Sequence, residues 1–151
     1  MSLTTEYAFD LRATVDTPQE VGDTPAGKRR FIPITGGTFE GPRLKGIVLP
    51  GGADAQVIRP DGVTDLVARY TLKVDDGTLI YVVNRGLRHG PPEVMQRLMR
   101  GESVDPGAYY FRTTPAFEVA AGPHDWLNRS VFVGTGARYA AEVHVRYFRV
   151  L

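Results

Sequence analysis

The sequence predicts an all-β fold, a single antiparallel β-barrel with one short accessory helix near residues 92–100. The first observation is that 17 glycines and 11 prolines in 151 residues place turn formers every eight to twelve positions. The second is that the intervening segments are short and rich in valine, isoleucine, tyrosine, phenylalanine and threonine. The third is that several of them alternate apolar with polar residues. Short alternating strands at regular spacing are typical of β-sandwiches and barrels.

The two ends of the chain predict how the barrel closes. Residues 7–15 and 139–150 both alternate polar with apolar side chains, as one-sided antiparallel strands do. We expect these two segments to pair with each other. Closure would then remove the exposed strand edges that otherwise invite aggregation.

The clearest predicted hairpin joins residues 65–74 to residues 78–85 through the turn at residues 75–77, Asp-Asp-Gly. A second turn, Pro-Asp-Gly at residues 60–62, connects the preceding strand to this hairpin. Residues 79–83 are apolar on both faces. We therefore expect both sides of that strand to be covered, in a barrel wall or at a subunit contact.

One helix is predicted between Pro91 and Gly101. Two prolines open it, Glu93 suits the N-terminal dipole, and the glycine ends it. Its apolar stripe is formed by Val94, Met95, Leu98 and Met99. A lone short helix in a strand-rich chain is expected to plug one end of the barrel or to span a gap between strands.

Composition limits the classes of function. A hydrophobic fraction of 42% and a charged fraction of 23% indicate one globular domain over residues 1–151, with residues 1–4 disordered or foreign to the natural chain. A net charge of +1, with no basic run longer than residues 28–30, predicts no nucleic-acid partner. No apolar stretch approaches the roughly 18 residues of a membrane span. We expect a cytoplasmic protein without membrane contact.

The sequence shows no signature of cysteine chemistry, of a metal site or of a phosphate-binding loop. The chain has no cysteine, which excludes disulfides and thiolate nucleophiles. Its three histidines lack metal-ligand spacing, and its two glycine pairs precede no predicted helix, as a phosphate loop would require. We therefore expect neither a metal nor a cofactor.

The candidate catalytic residues are Asp54, Arg69 and Arg112. Each arginine lies on a predicted strand among aromatic or hydroxyl residues, where its donor fork could bind a carboxylate or oxyanion. Candidate ligand-binding residues are Tyr70, Asn84, Arg85, His89, Tyr110, Trp126 and Asn128. Two alternatives stay open: Arg69 projects into solvent rather than into a polar lumen, or both arginines form structural ion pairs with Asp54 or Glu118. A tryptophan such as Trp126 is more often a core or interface anchor than a stacking platform for a ligand.

Four segments resemble a bacterial and fungal domain-of-unknown-function family of the UPF type. They are residues 36–62, 68–86, 109–118 and 126–136, in that order, and the resemblance covers nearly the whole chain from about residue 29. The resemblance implies a lipocalin-like (calycin) barrel that self-associates, and it implies no particular reaction. The matching positions that could be functional are Asp54, Arg69, Tyr70, Asn84, Arg85, Tyr110, Arg112 and Asn128.

These observations predict a small-molecule-binding barrel that forms a homo-oligomer, a dimer or larger. One hypothesis is a cofactor-free isomerase, cyclase, hydratase or lyase acting on a small carbonyl or carboxylate compound. In it Arg69 and Arg112 stabilise an enolate or carboxylate, while Asp54, a tyrosine or His89 carries the proton. The alternatives are a non-catalytic carrier of an apolar or aromatic ligand and an oligomeric structural protein.

Overall fold

Ten antiparallel strands form one closed sheet in the computed structural model, which describes residues 1–151. The strands are β1 (Thr5–Val15), β2 (Gln19–Thr24), β3 (Gly27–Glu40), β4 (Lys45–Val48), β5 (Gly52–Ile58), β6 (Thr64–Val74), β7 (Leu79–His89), β8 (Tyr110–Val119), β9 (Phe132–Arg138) and β10 (Glu142–Val150). Helix α1 spans Pro92–Met99, and two short 3-10 helices span Pro106–Ala108 and Asp125–Arg129.

The barrel wall has eight positions. Its order is β1, β10, β9, β8, β7, β6, then β4 and β5 sharing one position, then β3, which pairs with β1 again. The strands β4 and β5 share a position because each pairs with β3 on one side and with β6 on the other. The predicted pairing of the chain ends is confirmed, since β1 and β10 are antiparallel partners from Thr5↔Val150 to Thr14↔Glu142.

Strand β2 extends beyond the wall. It continues the line of β1 along β3, where Val15 lies opposite Ile34 and Gln19 lies opposite Phe31. No second strand pairs with it, so one edge of β2 is free. The chain between β1 and β2, residues 16–18, therefore marks the place where the wall gives way to an opening.

Both predicted hairpins are present, joining β5 to β6 and β6 to β7. The expectation that both faces of residues 79–83 are covered is wrong within one chain. Leu79 is 53% exposed and Tyr81 is 40% exposed on the outer face. They point outward because their neighbours Ile80 and Val82 fill the interior, with no exposed surface. Only another molecule could cover them, so the homo-oligomer stays a prediction.

The interior changes from apolar to polar along the barrel. The main core fills one end and includes Phe9, Leu72, Ile80 and Phe132. At the other end, α1 lies across the barrel as expected, with Leu98 packed in a smaller cluster of Leu66, Val104, Tyr109 and Phe111. No helix of the chain has the length and apolar character needed to cross a bilayer.

Glycine is required where a large inward side chain lies over the adjacent strand. Gly136 is an inward position of β9, and a Cβ built there would lie 2.7 Å from the ring of Phe111. That ring is buried and has little room to move. The glycine therefore lets a phenylalanine from β8 fold flat over β9.

We expect Gly136→Ala to lower the free energy of unfolding by about 1–3 kcal/mol, because the added methyl group overpacks the core. Urea denaturation followed by tryptophan fluorescence or circular dichroism measures it. Gly107→Ala is the matched control, since its Cβ would meet only the Asp105 side chain, 3.3 Å away on the surface. Equal effects of the two substitutions would contradict this account of the packing.

Candidate functional site

Polar residues occupy neighbouring inward positions near α1. Asp54 of β5 and Asn84 of β7 lie on one level, joined through the register of β6. One level nearer the opening, Arg30 of β3 lies opposite Gln56 of β5. Arg88 is two inward positions beyond Asn84 along β7, and its guanidinium is 4% exposed. Alternation along paired strands thus brings residues distant in sequence to one end of the barrel.

Two connected spaces open between these side chains. The mouth cavity has a volume of about 360 Å³ and is lined by Arg30, Arg88, Arg138 and the apolar side chains of Met95 and Leu98 from α1. The inner chamber below it has a volume of about 40 Å³. Its polar lining is Asp54, Gln56, Tyr70, Asn84 and Arg138. Arg138 and Val15 border both spaces, so the mouth cavity and the inner chamber adjoin.

A hydrogen-bonded relay connects the two spaces. Arg88 Nη2 donates to Gln56 Oε1 at 3.5 Å, and Gln56 Nε2 donates to Asp54 Oδ2 at 2.8 Å. Asp54 Oδ1 is shielded from solvent and has no hydrogen-bond partner in the protein. Burial raises the pKa of the Asp54 carboxyl, although the bond from Gln56 and the nearby arginine charges act to lower it. The carboxyl therefore holds a proton more tightly than an ordinary aspartate.

The arginines of the mouth cavity are not fully neutralised. Arg30 Nε donates to the exposed carboxylate of Glu20 at 2.9 Å, whereas Arg88 and Arg138 have no ion-pair partner. Arg88 Nε and Arg138 Nη1 are buried without a hydrogen-bond partner in the protein. Three guanidinium groups face two carboxylates, Glu20 and Asp54, which leaves at least one positive charge unbalanced.

Burial also changes the proton affinity of these cations. It lowers the pKa of Arg88 to about 10, because removal from water disfavours the charged form. Burial, and then repulsion from Arg30, lower the pKa of Arg138 as well. Both groups stay charged at neutral pH. An anion entering the mouth cavity would relieve the cost of keeping them there.

A second hydrogen-bonded cluster forms the floor of the inner chamber. The hydroxyl oxygens of Tyr70 and Tyr147 are 2.8 Å apart, and Asn84 Nδ2 donates to the Tyr147 hydroxyl at 3.0 Å. Burial raises the pKa of both tyrosines, so each keeps its proton at neutral pH. Asn84 Oδ1 has no partner in the protein.

Of the residues predicted from sequence, Asp54, Tyr70 and Asn84 line the inner chamber. The expectation that Arg69 and Arg112 share the lumen with Asp54 is wrong. Arg69 lies between the inward residues Ala68 and Tyr70 of β6, so it points outward and is exposed. Arg112 is also exposed on the outer face, where its Nη1 donates to the Phe111 carbonyl oxygen at 2.9 Å.

The alternative of structural ion pairs is wrong as well, because neither Arg69 nor Arg112 lies within ion-pair distance of an acidic side chain. Arg85 likewise points outward from β7 and is exposed. These arginines occupy the opposite strand parity from Asn84 and Arg88, which face inward.

The other predicted ligand-binding residues lie away from both spaces. His89 stacks on Tyr110 on the outer surface, with ring centroids 4.8 Å apart. Trp126 lies at the far end of the barrel, where it packs on Phe132 and under the Arg43 guanidinium, 3.9 Å from the ring centre. Asn128 binds the backbone of Val119 in both directions, at 2.9 and 2.7 Å. Their contacts stabilise the fold.

Sequence reasoning missed the three arginines of the mouth cavity and Gln56 as the hydrogen-bond partner of Arg88. The predicted strand ended at residue 85, but β7 continues to His89 and alternation then directs Arg88 inward. Arg30 belongs to the short basic run, in which only its parity with the buried Ile32 marks it as internal. Nothing local marks Arg138 apart from its alternation with Gly134 and Gly136.

The donor set of the cavities suits anions. No three His, Asp or Glu side chains converge anywhere in the chain to form a metal site. Guanidinium groups bind carboxylates and oxyanions through charge-assisted hydrogen bonds. The arrangement can therefore hold an anion above a shielded carboxyl group that can give or take a proton.

Comparison with known proteins identifies close relatives. The model of a protein family of unknown function, DUF3237, matches residues 3–150. UPF0311 protein RPA1785 of Rhodopseudomonas palustris is 43% identical over 150 residues, covering 99% of this chain and 98% of the relative. A UPF0311 protein of Clostridium acetobutylicum is 41% identical over 146 residues, covering 96% and 92%.

Solved structures agree with the fold. The crystal structure of RPA1785 has a TM-score of 0.97 and covers 100% of this chain and 99% of its own. A beta-barrel like protein from Acinetobacter baumannii, 39% identical, has a TM-score of 0.87 and coverage of 100% and 98%. An enzyme from Penicillium herquei, 19% identical, has a TM-score of 0.75 with coverage of 100% and 96%, a likeness that shows the fold alone.

The expected resemblance to a bacterial family and the predicted barrel are thereby confirmed. The fungal membership and the lipocalin-like (calycin) relationship stay predictions. The family model matches almost the whole length of the chain, and the two UPF0311 relatives named above are more than 40% identical to it. This chain belongs to the DUF3237 family.

Proposed function

We propose that this protein binds a small organic anion in the mouth cavity and catalyses a proton transfer on it without a cofactor. One observation carries the proposal: two buried guanidinium groups without an acidic partner, Arg88 and Arg138, accompany a shielded carboxyl, Asp54, whose Oδ1 has no partner either. Arg138 lines the inner chamber together with Asp54, and Arg88 is connected to Asp54 through Gln56. Buried polar groups of folded proteins are almost always paired, so unpaired ones at a cavity point to a ligand.

Binding follows from charge and shape. A carboxylate can accept two parallel hydrogen bonds from a guanidinium fork, and such bonds are strong where water is excluded. The carbon skeleton of the ligand would lie against Met95 and Leu98 of α1. A volume of about 360 Å³ falls in the usual range of small-molecule sites, roughly 300–1,000 Å³.

Catalysis follows from the state of Asp54. A carboxyl group whose pKa is raised towards the working pH is an effective general acid or base. Gln56 donates to Oδ2 at 2.8 Å, which fixes the carboxyl and leaves Oδ1 without a partner in the protein. The arginine charges would stabilise an enolate formed when Asp54 takes a proton next to a carbonyl group. Isomerases, cyclases, hydratases and lyases all use this step.

Anion binding should depend on the buried arginines. We expect wild-type protein to bind small carboxylates such as benzoate and butanoate, and Arg138→Gln to weaken them at least about tenfold, because a buried charge–charge contact is lost. Isothermal titration calorimetry measures the affinities. Arg69→Gln, an outward arginine, is the matched control and should change them less than about twofold. Equal losses in both variants would show that binding is a nonspecific effect of net charge.

Proton transfer should depend on Asp54. In D₂O with 2-oxobutanoate or 3-oxobutanoate, we expect wild-type protein to accelerate exchange of the hydrogens next to the carbonyl group, followed by proton NMR. Asp54→Asn keeps the shape but cannot take up the proton, so exchange should fall by about 100-fold or more. The variant should still bind the ligands. Tight binding without any exchange in wild-type protein would contradict catalysis and identify a carrier.

Stability should respond to pH through the same group. The folded carboxyl of Asp54 keeps its proton to higher pH than the unfolded one, whose ordinary pKa is 3.8. Between the pKa of the unfolded carboxyl and that of the folded carboxyl, the native state binds more protons than the unfolded state. The free energy of unfolding therefore falls as the pH rises through this range. Each pKa unit of difference between the folded and the unfolded carboxyl corresponds to about 1.4 kcal/mol of unfolding free energy.

Asp54→Asn should remove this decrease in the free energy of unfolding with rising pH. Urea denaturation at a series of pH values from 4 upward measures it. Asp65→Asn, at an exposed aspartate on the outer face, is the control and should keep the wild-type slope. Parallel curves for wild type and Asp54→Asn would mean that the folded and unfolded carboxyls titrate alike.

A further inference from the structure

The inner chamber presents one hydrogen-bond donor and one acceptor that the protein itself does not use. Its floor is formed by Tyr70, 5% exposed, and Asn84, 4% exposed. Behind them Tyr147, which has no exposed surface, connects the two side chains by hydrogen bonds of 2.8 and 3.0 Å. The assignment of hydrogens among these three residues determines what the chamber offers.

Tyr70, Tyr147 and Asn84 have more hydrogen-bond donors than they can pair with acceptors among themselves. Asn84 Nδ2 donates to the Tyr147 oxygen, and the bond between the two tyrosines uses one of their two hydroxyl hydrogens. Because burial raises the pKa of both tyrosines, neither loses its hydrogen at neutral pH. One hydroxyl hydrogen is left without an acceptor, and Asn84 Oδ1 is left without a donor.

The unused hydrogen belongs to Tyr70. If Tyr70 donated to Tyr147, the hydrogen of Tyr147 would be unpaired in the core, which is unfavourable. If Tyr147 donates to Tyr70, the Tyr70 hydrogen is free to point into the chamber, which Tyr70 lines and Tyr147 does not. Turning the Asn84 amide over exchanges the roles, with Nδ2 as donor and the Tyr70 oxygen as acceptor. Either way at least one donor and one acceptor beside the chamber stay unused.

A hydroxyl group matches this pair, because it both donates and accepts a hydrogen bond. The chamber, at about 40 Å³, has room for a hydroxyl and the carbon that bears it, since a water molecule alone needs about 10–15 Å³. Asp54 Oδ1, on the same level as Asn84, offers a further contact when the carboxyl is ionised. The mouth cavity above attracts the negative charge.

We propose that the inner chamber is a subsite for a hydroxyl group, so that the ligand is a hydroxy-carboxylate or the enol of an oxo acid. Its carboxylate lies between Arg88 and Arg138, and its hydroxyl lies between Tyr70 and Asn84. The assignment rests on the proposed function, since it requires an anion in the mouth cavity. It adds the second functional group that the ligand carries and the residues that select it.

Matched ligands test the subsite. Calorimetric titration of wild-type protein compares benzoate with its 2-, 3- and 4-hydroxy derivatives, and butanoate with 3- and 4-hydroxybutanoate. At least one hydroxylated ligand should bind about tenfold or more tightly than its parent, because a ligand without the hydroxyl leaves buried polar groups unpaired. Tyr70→Phe and Asn84→Leu should reduce that preference to about twofold or less without changing parent affinity. Tyr81→Phe, at an exposed tyrosine, is the control.

The outcomes separate the two proposals. Parents that bind with no gain from any hydroxyl overturn the subsite and leave the anion site standing; water then fills the chamber. A preference that survives in both Tyr70→Phe and Asn84→Leu also overturns it, because the hydroxyl must lie elsewhere. If no parent and no hydroxylated carboxylate binds, the proposed function fails and the subsite with it. The comparison of ligands in wild-type protein decides the matter even if a variant does not fold.

Discussion

Closure of the sheet between β1 and β10 is the constraint on which the other features depend. In a closed wall every strand has two partners, so alternation divides each strand strictly into inward and outward residues. Inward side chains from all around the wall must share one narrow space. Three arginines spread over more than a hundred residues of sequence therefore line the same cavity: Arg30, Arg88 and Arg138. A sheet with open edges would let them turn towards water.

The closed wall also explains how unpaired charge is tolerated. Transferring a guanidinium group from water into a protein interior is unfavourable, and like charges close together add to the cost. The apolar end of the barrel, packed around Phe9, Leu72 and Phe132, stabilises the whole wall and holds the polar end in register. The arginines cannot relax outward without breaking strand pairing. The fold thus holds the arginines in position to bind an anion before any ligand is present.

Sequence reasoning succeeded where signals are local. The hairpin turns, the helix between Pro91 and Gly101 and the alternation at the chain ends each lie within a few residues, and all are confirmed. Asp54, Tyr70 and Asn84 were predicted as site residues, and they line the inner chamber. Arg69 was misplaced because the polar face of β6 was taken to line the lumen, whereas the face that carries Ala68 and Tyr70 points inward. Which inward residues meet across the barrel depends on register between distant strands, and no local pattern encodes it.

The register that closes the barrel also brings the two chain termini together. Thr5 pairs with Val150, and the backbone N–H of Leu151 donates to the carbonyl oxygen of Thr4 at 2.9 Å. These residues lie at the end of the barrel away from the mouth, which the opposite ends of the same two strands border. A label, surface linker or fused protein attached at either terminus would therefore project from the closed base. The protein could be immobilised there with its opening still facing solution.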